Sequence, residues 1–350
     1  MASNSFGHNF RITTWGESHG KAIGVVIDGC PSNLPITCEE IQQELDLRRP
    51  GYSAYTSPRK EPDQVEIYSG VFKGKTTGAP ISLIIPNRDA NSEPYEKIKE
   101  LLRPGHANAT WEKKYGNFDY RGGGRASARE TAARVAAGAI AKKLLKTHEI
   151  ALSAHLVELG GIPAKGKTQE RKESKIFCLD SAAEKEMLAY LEELKIAGDS
   201  TGGIIELITS PIPFPLGGPV YRKLEADLAT AMLSIPASKG FEIGCGFASS
   251  AMRGSEHNDS FTPNGLATNN AGGTLGGVAS GAPISIRVAF KPTSSIRIAQ
   301  KTVTKKGKSQ TLVLPLKSRH DPCVAIRATA VVEAMAAIVL ADHLLFYLDT

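Results

Sequence analysis

Apolar positions along this chain follow two periods, and the period switches several times between its ends. Helical spacing appears first at Thr37-Cys38-Glu39-Glu40, where a threonine with glutamate three residues on makes a capping box ahead of Ile41 and Leu45. It returns from Asp180 to about Ala197, with Met187, Leu188, Leu191 and Leu194 on one face. The clearest case follows Gly124. There Ser127 and Glu130 read as another Ser-x-x-Glu cap, and Ala132, Val135, Ala139 and Leu144 follow with alanines that permit close helix approach. A last helix is predicted from about Ala328 to Tyr347, its inner face formed by Val331, Met335, Ile338, Ala341 and Leu345. Alternation with period two marks Val65, Ile67 and Ser69, then Ile81, Leu83 and Ile85, then Ile284, Ile286, Val288 and Phe290. Strands and helices do not alternate strictly, so an α+β arrangement of antiparallel strands is expected rather than a doubly wound parallel sheet.

Between these elements, Gly160 to Ser174 and Lys305 to Gln310 read as exposed loops. Arg253 to Gly277 is dense in Gly, Asn, Ser and Thr and long for a loop without a task, which predicts a ligand-facing segment. No stretch reads as a linker, and no fixed-period repeat is visible, so residues 1–350 are expected to form a single domain. Hydrophobic residues at 41% and charged residues at 22% fit a folded globular chain. The longest apolar stretch, Ala334 to Ala341, closes at Asp342, far short of the roughly 20 residues a membrane-spanning helix needs, and reads as a core helix. Met1 to Thr14 lacks the apolar run of a secretory signal, so a cytoplasmic protein off the membrane is expected. Cys30, Cys38, Cys178, Cys245 and Cys323 are odd in number, scattered and without metal-ligand spacing; they predict reduced thiols and no metal site.

A formal charge of +6 favours an anionic partner, either nucleic acid or a small phosphorylated ligand. Placement narrows this. Arg103, Arg121, Arg125 and Arg129 sit in Gly-rich turns, where short backbone can close around a compact anion. Aromatic residues are only 6% and do not interleave with these arginines, against a nucleic-acid surface. The most informative segment is Arg121-Gly122-Gly123-Gly124-Arg125-Ala126-Ser127-Ala128-Arg129-Glu130-Thr131. Glycines let backbone amides approach a ligand, the helix start adds partial positive charge, and guanidinium groups grip phosphate or carboxylate with paired bonds. Gly16-Glu17-Ser18-His19-Gly20 and Arg103-Pro104-Gly105-His106-Ala107-Asn108 each fix a histidine between turn residues, as hydrogen-bonded turn residues or as proton-transfer groups beside the anion. The first also has the Gly-x-Ser-x-Gly spacing of a hydrolase elbow with Ser18 central, but the apolar run Ile23 to Ile27 follows where that motif needs a helix.

Together these motifs resemble the chorismate synthase family. The resemblance runs in order through the His19 motif, Arg48-Arg49-Pro50-Gly51, Glu61-Pro62-Asp63, the His106 motif and the Arg121 to Thr131 turn. It continues through Gly272 to Gly277, Lys291-Pro292-Thr293-Ser294-Ser295 and Arg319-His320-Asp321-Pro322-Cys323. It implies a β-α-β sandwich with helices between antiparallel sheets, a homotetramer, and a lyase that converts 5-enolpyruvylshikimate 3-phosphate to chorismate by trans 1,4-elimination. The family requires reduced FMN without net redox change, and NADPH is a possible source of its electrons. Carried over by motif, the flavin contacts are Arg125, Ala126, Ser127, Pro236, Ala237, Gly276, Lys291, Pro292, Thr293, Ser294, Ser295 and Arg319. Arg48 and Arg129 match substrate or NADP contacts. His19 matches the acid for the departing phosphate, His106 the control of flavin protonation, and Asp321 the removal of a proton from the flavin. Asp321 could otherwise simply pair with Arg319. Two positions depart from the family pattern, Ala54 for its usual Arg and Asn108 for its usual Asp. A competing expectation is a flavin reductase or dehydrogenase, although no Gly-x-Gly-x-x-Gly follows a strand in the dinucleotide-binding context.

Overall fold

The structure, a computed structural model, describes residues 3–57, 59, 61–314 and 321–349. Two five-stranded sheets, each with antiparallel neighbours, form its outer layers. The first runs in the order Ser5–Phe6, Arg11–Gly16, Ala22–Asp28, Ile81–Pro86, Glu66–Ser69. The second runs Ser238–Ile243, Pro283–Phe290, Gly203–Pro211, Leu152–Leu159, Ile162–Pro163. The predicted alternation is what packs: Ile81, Leu83 and Ile85 join Ile23, Val25 and Ile27 on the buried face of one sheet, and Ile284, Ile286, Val288 and Phe290 line the buried face of the other.

Helices fill the space between the sheets. The Thr131–Lys146 helix lies on the first sheet, the Ala325–Leu348 helix on the second, and the two pack on each other. They meet at Gly138, where an added Cβ would stand 2.4 Å from the Ala334 Cβ. Glycine in a helix interior costs about 1 kcal/mol relative to alanine, and here the close crossing explains its presence. The capping box at Thr37 forms, with Thr37 Oγ1 accepting from Glu40 N and Glu40 Oε2 accepting from Thr37 N, and starts the Cys38–Arg48 helix. The Ser181–Ala197 helix starts on the Asp180 side chain, ends at left-handed Gly198, and buries Met187, Leu191 and Leu194. This is the α+β sandwich expected.

Three local expectations need correction. Glu130 does not close a capping box with Ser127; its buried carboxylate binds Thr14 Oγ1 and Arg134, while Ser127 Oγ caps a short 3-10 turn by accepting from Arg129 N. The last helix has no outer face to speak of. Apart from Arg327 it is buried from Ala325 to Leu345, because it lies inside the sandwich, and that accounts for a helix long and apolar enough to cross a membrane. Its Glu333 accepts from Lys142 Nζ, Arg171 Nη1 and Ala154 N, so the buried charge is paired. Finally, Arg253 to Gly277 does not line the cleft described below. It folds on itself, with Asp259 accepting from Thr268 Oγ1, Asn270 N and Ala271 N.

A smaller apolar cluster of Ile98, Leu312 and Leu314, with Tyr95 and Leu101 against it, stands apart from the main core. It joins the hairpin Gln300–Val303 and Ser309–Leu312, connected through residues 304–308 so that Ser309 and Gln310 of the expected loop belong to the second strand, to the segment before His106. Leu102 N donates to Val303 O, and Lys305 N to Glu100 O. The turn bearing Arg103 and His106 is thereby held opposite the main body.

Candidate active site

A cleft of about 400 Å³ opens between the main body and that second cluster. Its lining contains His19, His106, Asp321, Ala126, Ser127, Arg129, Pro236, Ala237 and all of Lys291 to Ser295. Segments more than 270 residues apart in sequence, from His19 to Lys291, share one wall system.

His19 follows the strand Arg11–Gly16 and packs over Gly122. Gly122 has φ +65, and an added Cβ would lie 2.5 Å from the imidazole Cε1, so this turn requires glycine. Both ring nitrogens are engaged: Nδ1 is 3.0 Å from Ser18 Oγ and Nε2 3.3 Å from Asn91 O. Burial, with help from the Arg59 charge, holds the His19 pKa below its usual value. His106 is pushed further, down to about 3, first by burial and then by Arg103 and Lys291. Both rings are therefore neutral at pH 7 in the free protein.

Among the described residues, five cations line the cleft, Arg59, Arg103, Arg129, Lys291 and Arg327, against one carboxylate, Asp321. Asp321 pairs with Arg327, at 2.9 Å, and accepts from Ser57 N at 2.8 Å; Arg319, its other expected partner, lies outside the described residues. Arg129 shares the buried Asp63 with Arg48. Burial alone would raise the Asp63 pKa, but the two guanidinium groups outweigh it and hold the carboxyl below its usual range. Arg103 is different. It is buried, donates to Gly122 O at 2.6 Å and to His106, and has no carboxylate partner among the described residues. Ala237 is held at φ +71, and its carbonyl accepts from Lys291 N at 2.9 Å, which ties two lining segments together.

The comparisons with known proteins agree on one answer. The family model for chorismate synthase matches residues 10–345. The chorismate synthase of Protochlamydia amoebophila is 58% identical, across 99% of this chain and 98% of the relative. That of Methanosarcina mazei is 52% identical, across 99% and 97%. The chain belongs to the chorismate synthase family. A solved structure described as a crystal structure of chorismate synthase superposes with a TM-score of 0.76 at 34% identity, covering 97% of this chain and 93% of that one. Family membership makes the protein an enzyme, a lyase of the shikimate pathway.

Not every residue expected from the chorismate synthase pattern reaches the cleft. Arg125 turns away, donating to Thr14 O and Asn4 Oδ1. Gly276 sits at the turn of a hairpin, Thr274–Leu275 with Val278–Ala279, outside the lining. Arg48 lies behind the wall, beside a smaller cavity of about 20 Å³, with Asp63 between it and Arg129. Ala54 is exposed. Arg319 and His320 fall outside the described residues. Tyr95, Arg59 and Arg327 line the cleft without having been singled out in the sequence. Tyr95 meets His19 edge to face at 5.2 Å, but a lone tyrosine or an arginine at a helix start gives no local signal of such a role.

Proposed function

We propose that this cleft converts 5-enolpyruvylshikimate 3-phosphate to chorismate and phosphate by trans 1,4-elimination, with reduced FMN bound and not consumed. The observation that carries the reading is the charge balance among the described residues: five cations and one carboxylate around a compact cleft suit a small polyanion, and buried Arg103 has no carboxylate partner there. A flavin is supported by a polar atom without a protein partner. Thr293 Oγ1 is buried in the lining with no hydrogen-bond partner among the described residues, in the cleft that Pro236 and Ala237 also line.

Bound reduced flavin would lend electron density to a substrate that undergoes no net redox change. Ala126, Ser127, Pro236, Ala237 and Lys291 to Ser295 are the residues proposed to hold it, with Arg125, Gly276 and Arg319 proposed only on the family pattern. Arg103, Arg129 and Lys291 would receive the phosphate and carboxylates. An arriving phosphate opposes the surrounding positive charge, so it raises the His19 pKa toward the range in which the ring can protonate a leaving oxygen. His106 would govern the protonation of the flavin, and Asp321 would accept the proton delivered to it. Arg48 serves here through Asp63, as support for Arg129. NADPH enters only as a source of electrons for the flavin. A cytoplasmic homotetramer completes the proposal, with exposed Phe72, Phe247 and Phe261 as candidate contacts between copies.

Counting products tests this reading. Under anaerobic conditions with chemically reduced FMN, phosphate released should exceed reducing equivalents many-fold. One phosphate per reductant would favour the oxidoreductase alternative, and no release would remove the lyase assignment.

A further inference from the structure

One aromatic ring stands between the two walls of the cleft. Tyr95 belongs to the short Glu93–Glu96 helical turn, and its half-buried body packs on the small cluster of Ile98, Leu312 and Leu314. Toward the main body it meets the His19 ring edge to face, with centroids 5.2 Å apart and planes at 78°. The Arg103 guanidinium also lies over it, with Cζ 5.8 Å from the ring centroid.

The ring is tethered on both sides. Asn91 O, just ahead of this turn, lies 3.3 Å from His19 Nε2. Tyr95 N donates to Ser92 O at 3.0 Å, and Tyr95 O accepts from Ile98 N at 3.2 Å. The next residue, Glu96, accepts from the Tyr120 hydroxyl, which ties the same turn to the start of the glycine-rich segment. Burial pushes the Arg103 pKa down to about 10, so the group is still a cation at pH 7. Among the described residues no carboxylate offsets it. An aromatic face attracts a desolvated guanidinium through its quadrupole and leaves the charge uncancelled. A carboxylate in the same place would grip Arg103 with charged hydrogen bonds and compete with an arriving anion.

We propose that Tyr95 is a positioning residue: its ring sets Arg103 against His19 across the cleft and steadies the Arg103 cation without neutralising it, leaving that charge for an incoming phosphate. The consequence for turnover rests on the lyase reading above. The consequence for anion binding does not.

Calorimetric titration of the ligand-free protein with inorganic phosphate tests this. Tyr95→Leu keeps an apolar side chain against the small cluster but removes the ring. It should weaken phosphate binding by roughly 3- to 30-fold, the range from a partly solvated to a desolvated cation–ring contact. Tyr95→Phe keeps the ring and should stay within about twofold of wild type. In an Arg103→Ala background, Tyr95→Leu should cost less than about twofold more, because the two side chains act as one unit. The His19 ring-proton NMR signals, identified by their loss in His19→Gln, should move in Tyr95→Leu and hold in Tyr95→Phe, since an aromatic ring at 5.2 Å shifts them magnetically. Tyr95→Met replaces the leucine variant if that one does not fold. Losses that add in full with Arg103→Ala, a phenylalanine variant as weak as the leucine one, unmoved His19 signals, or a wild type that binds no phosphate would each overturn the proposal. The expected binding pattern without any elimination under reduced FMN would instead sink the lyase reading and leave Tyr95 its role.

Discussion

Arg129, Arg327 and Arg59 face the cleft with carboxylates beside them, Asp63, Asp321 and Glu61. Arg103 and Lys291 face it with no carboxylate partner among the described residues: Arg103 has Gly122 O, His106 and the Tyr95 ring in reach, and Lys291 has Gly105 O. The difference follows the architecture. The paired arginines belong to the main body, where Asp63 sits fully buried between Arg48 and Arg129. Arg103 hangs from the segment packed on the small cluster of Ile98, Leu312 and Leu314. Paired charges cost little to keep without ligand and hold a fixed shape. Unpaired ones keep their field for whatever enters, at the expense of stability in the empty protein.

The largest expected effect lies on the paired side. Asp63→Ala strands two buried guanidinium groups and should lower unfolding stability by about 3–5 kcal/mol in urea titrations. Arg103→Ala orphans no carboxylate and should change stability by less than about 1 kcal/mol, within the range of ordinary substitutions. Equal losses in the two variants would erase the contrast.

A smaller effect appears in acid. The depressed Asp63 carboxyl contributes stability that is complete above the unfolded pKa, near pH 4, and lost as pH falls through the folded value. His106 acts in a different window. Its folded pKa is about 3 against an ordinary 6.5, so between those values the unfolded chain binds a proton that the folded one refuses. Stability should therefore decline as pH drops through that window, by at most about 1.4 kcal/mol per pH unit. His106→Gln should flatten the slope from pH 6.5 to 4, and Asp63→Ala should flatten it below; stability curves against pH would show whether the two windows separate.

Local grammar carried much of the fold. The Thr37 box, the Asp180 cap and the period-two runs at Ile81 and Ile284 each depend on neighbours within a few residues, and each formed. Glu130 did not follow that grammar, because Thr14 and Arg134 offered its buried carboxylate better partners than the helix start. The last helix reads as one-sided in sequence, yet no periodicity reveals that a second sheet will cover its other face. In the site, the glycine-rich turn and both histidines were legible, since each motif is contiguous. Asp63 was visible as part of a motif, but its pairing with Arg129 spans 66 residues and has no local trace. The same holds for Asp321, whose pairing with Arg327 in the following helix leaves no signal in the contiguous motif. Arg253 to Gly277 misled because Gly and Asn serve self-contained turns as readily as ligand contacts.

The most direct test of the claim that the unpaired wall receives the substrate's anions is anaerobic phosphate release by Arg103→Ala beside wild type, with chemically reduced FMN. Losing one hydrogen bond to a charged group should lower kcat/KM by about 10- to 150-fold while the thermal unfolding of the empty protein stays close to wild type. An unchanged kcat/KM in a folded variant would contradict it.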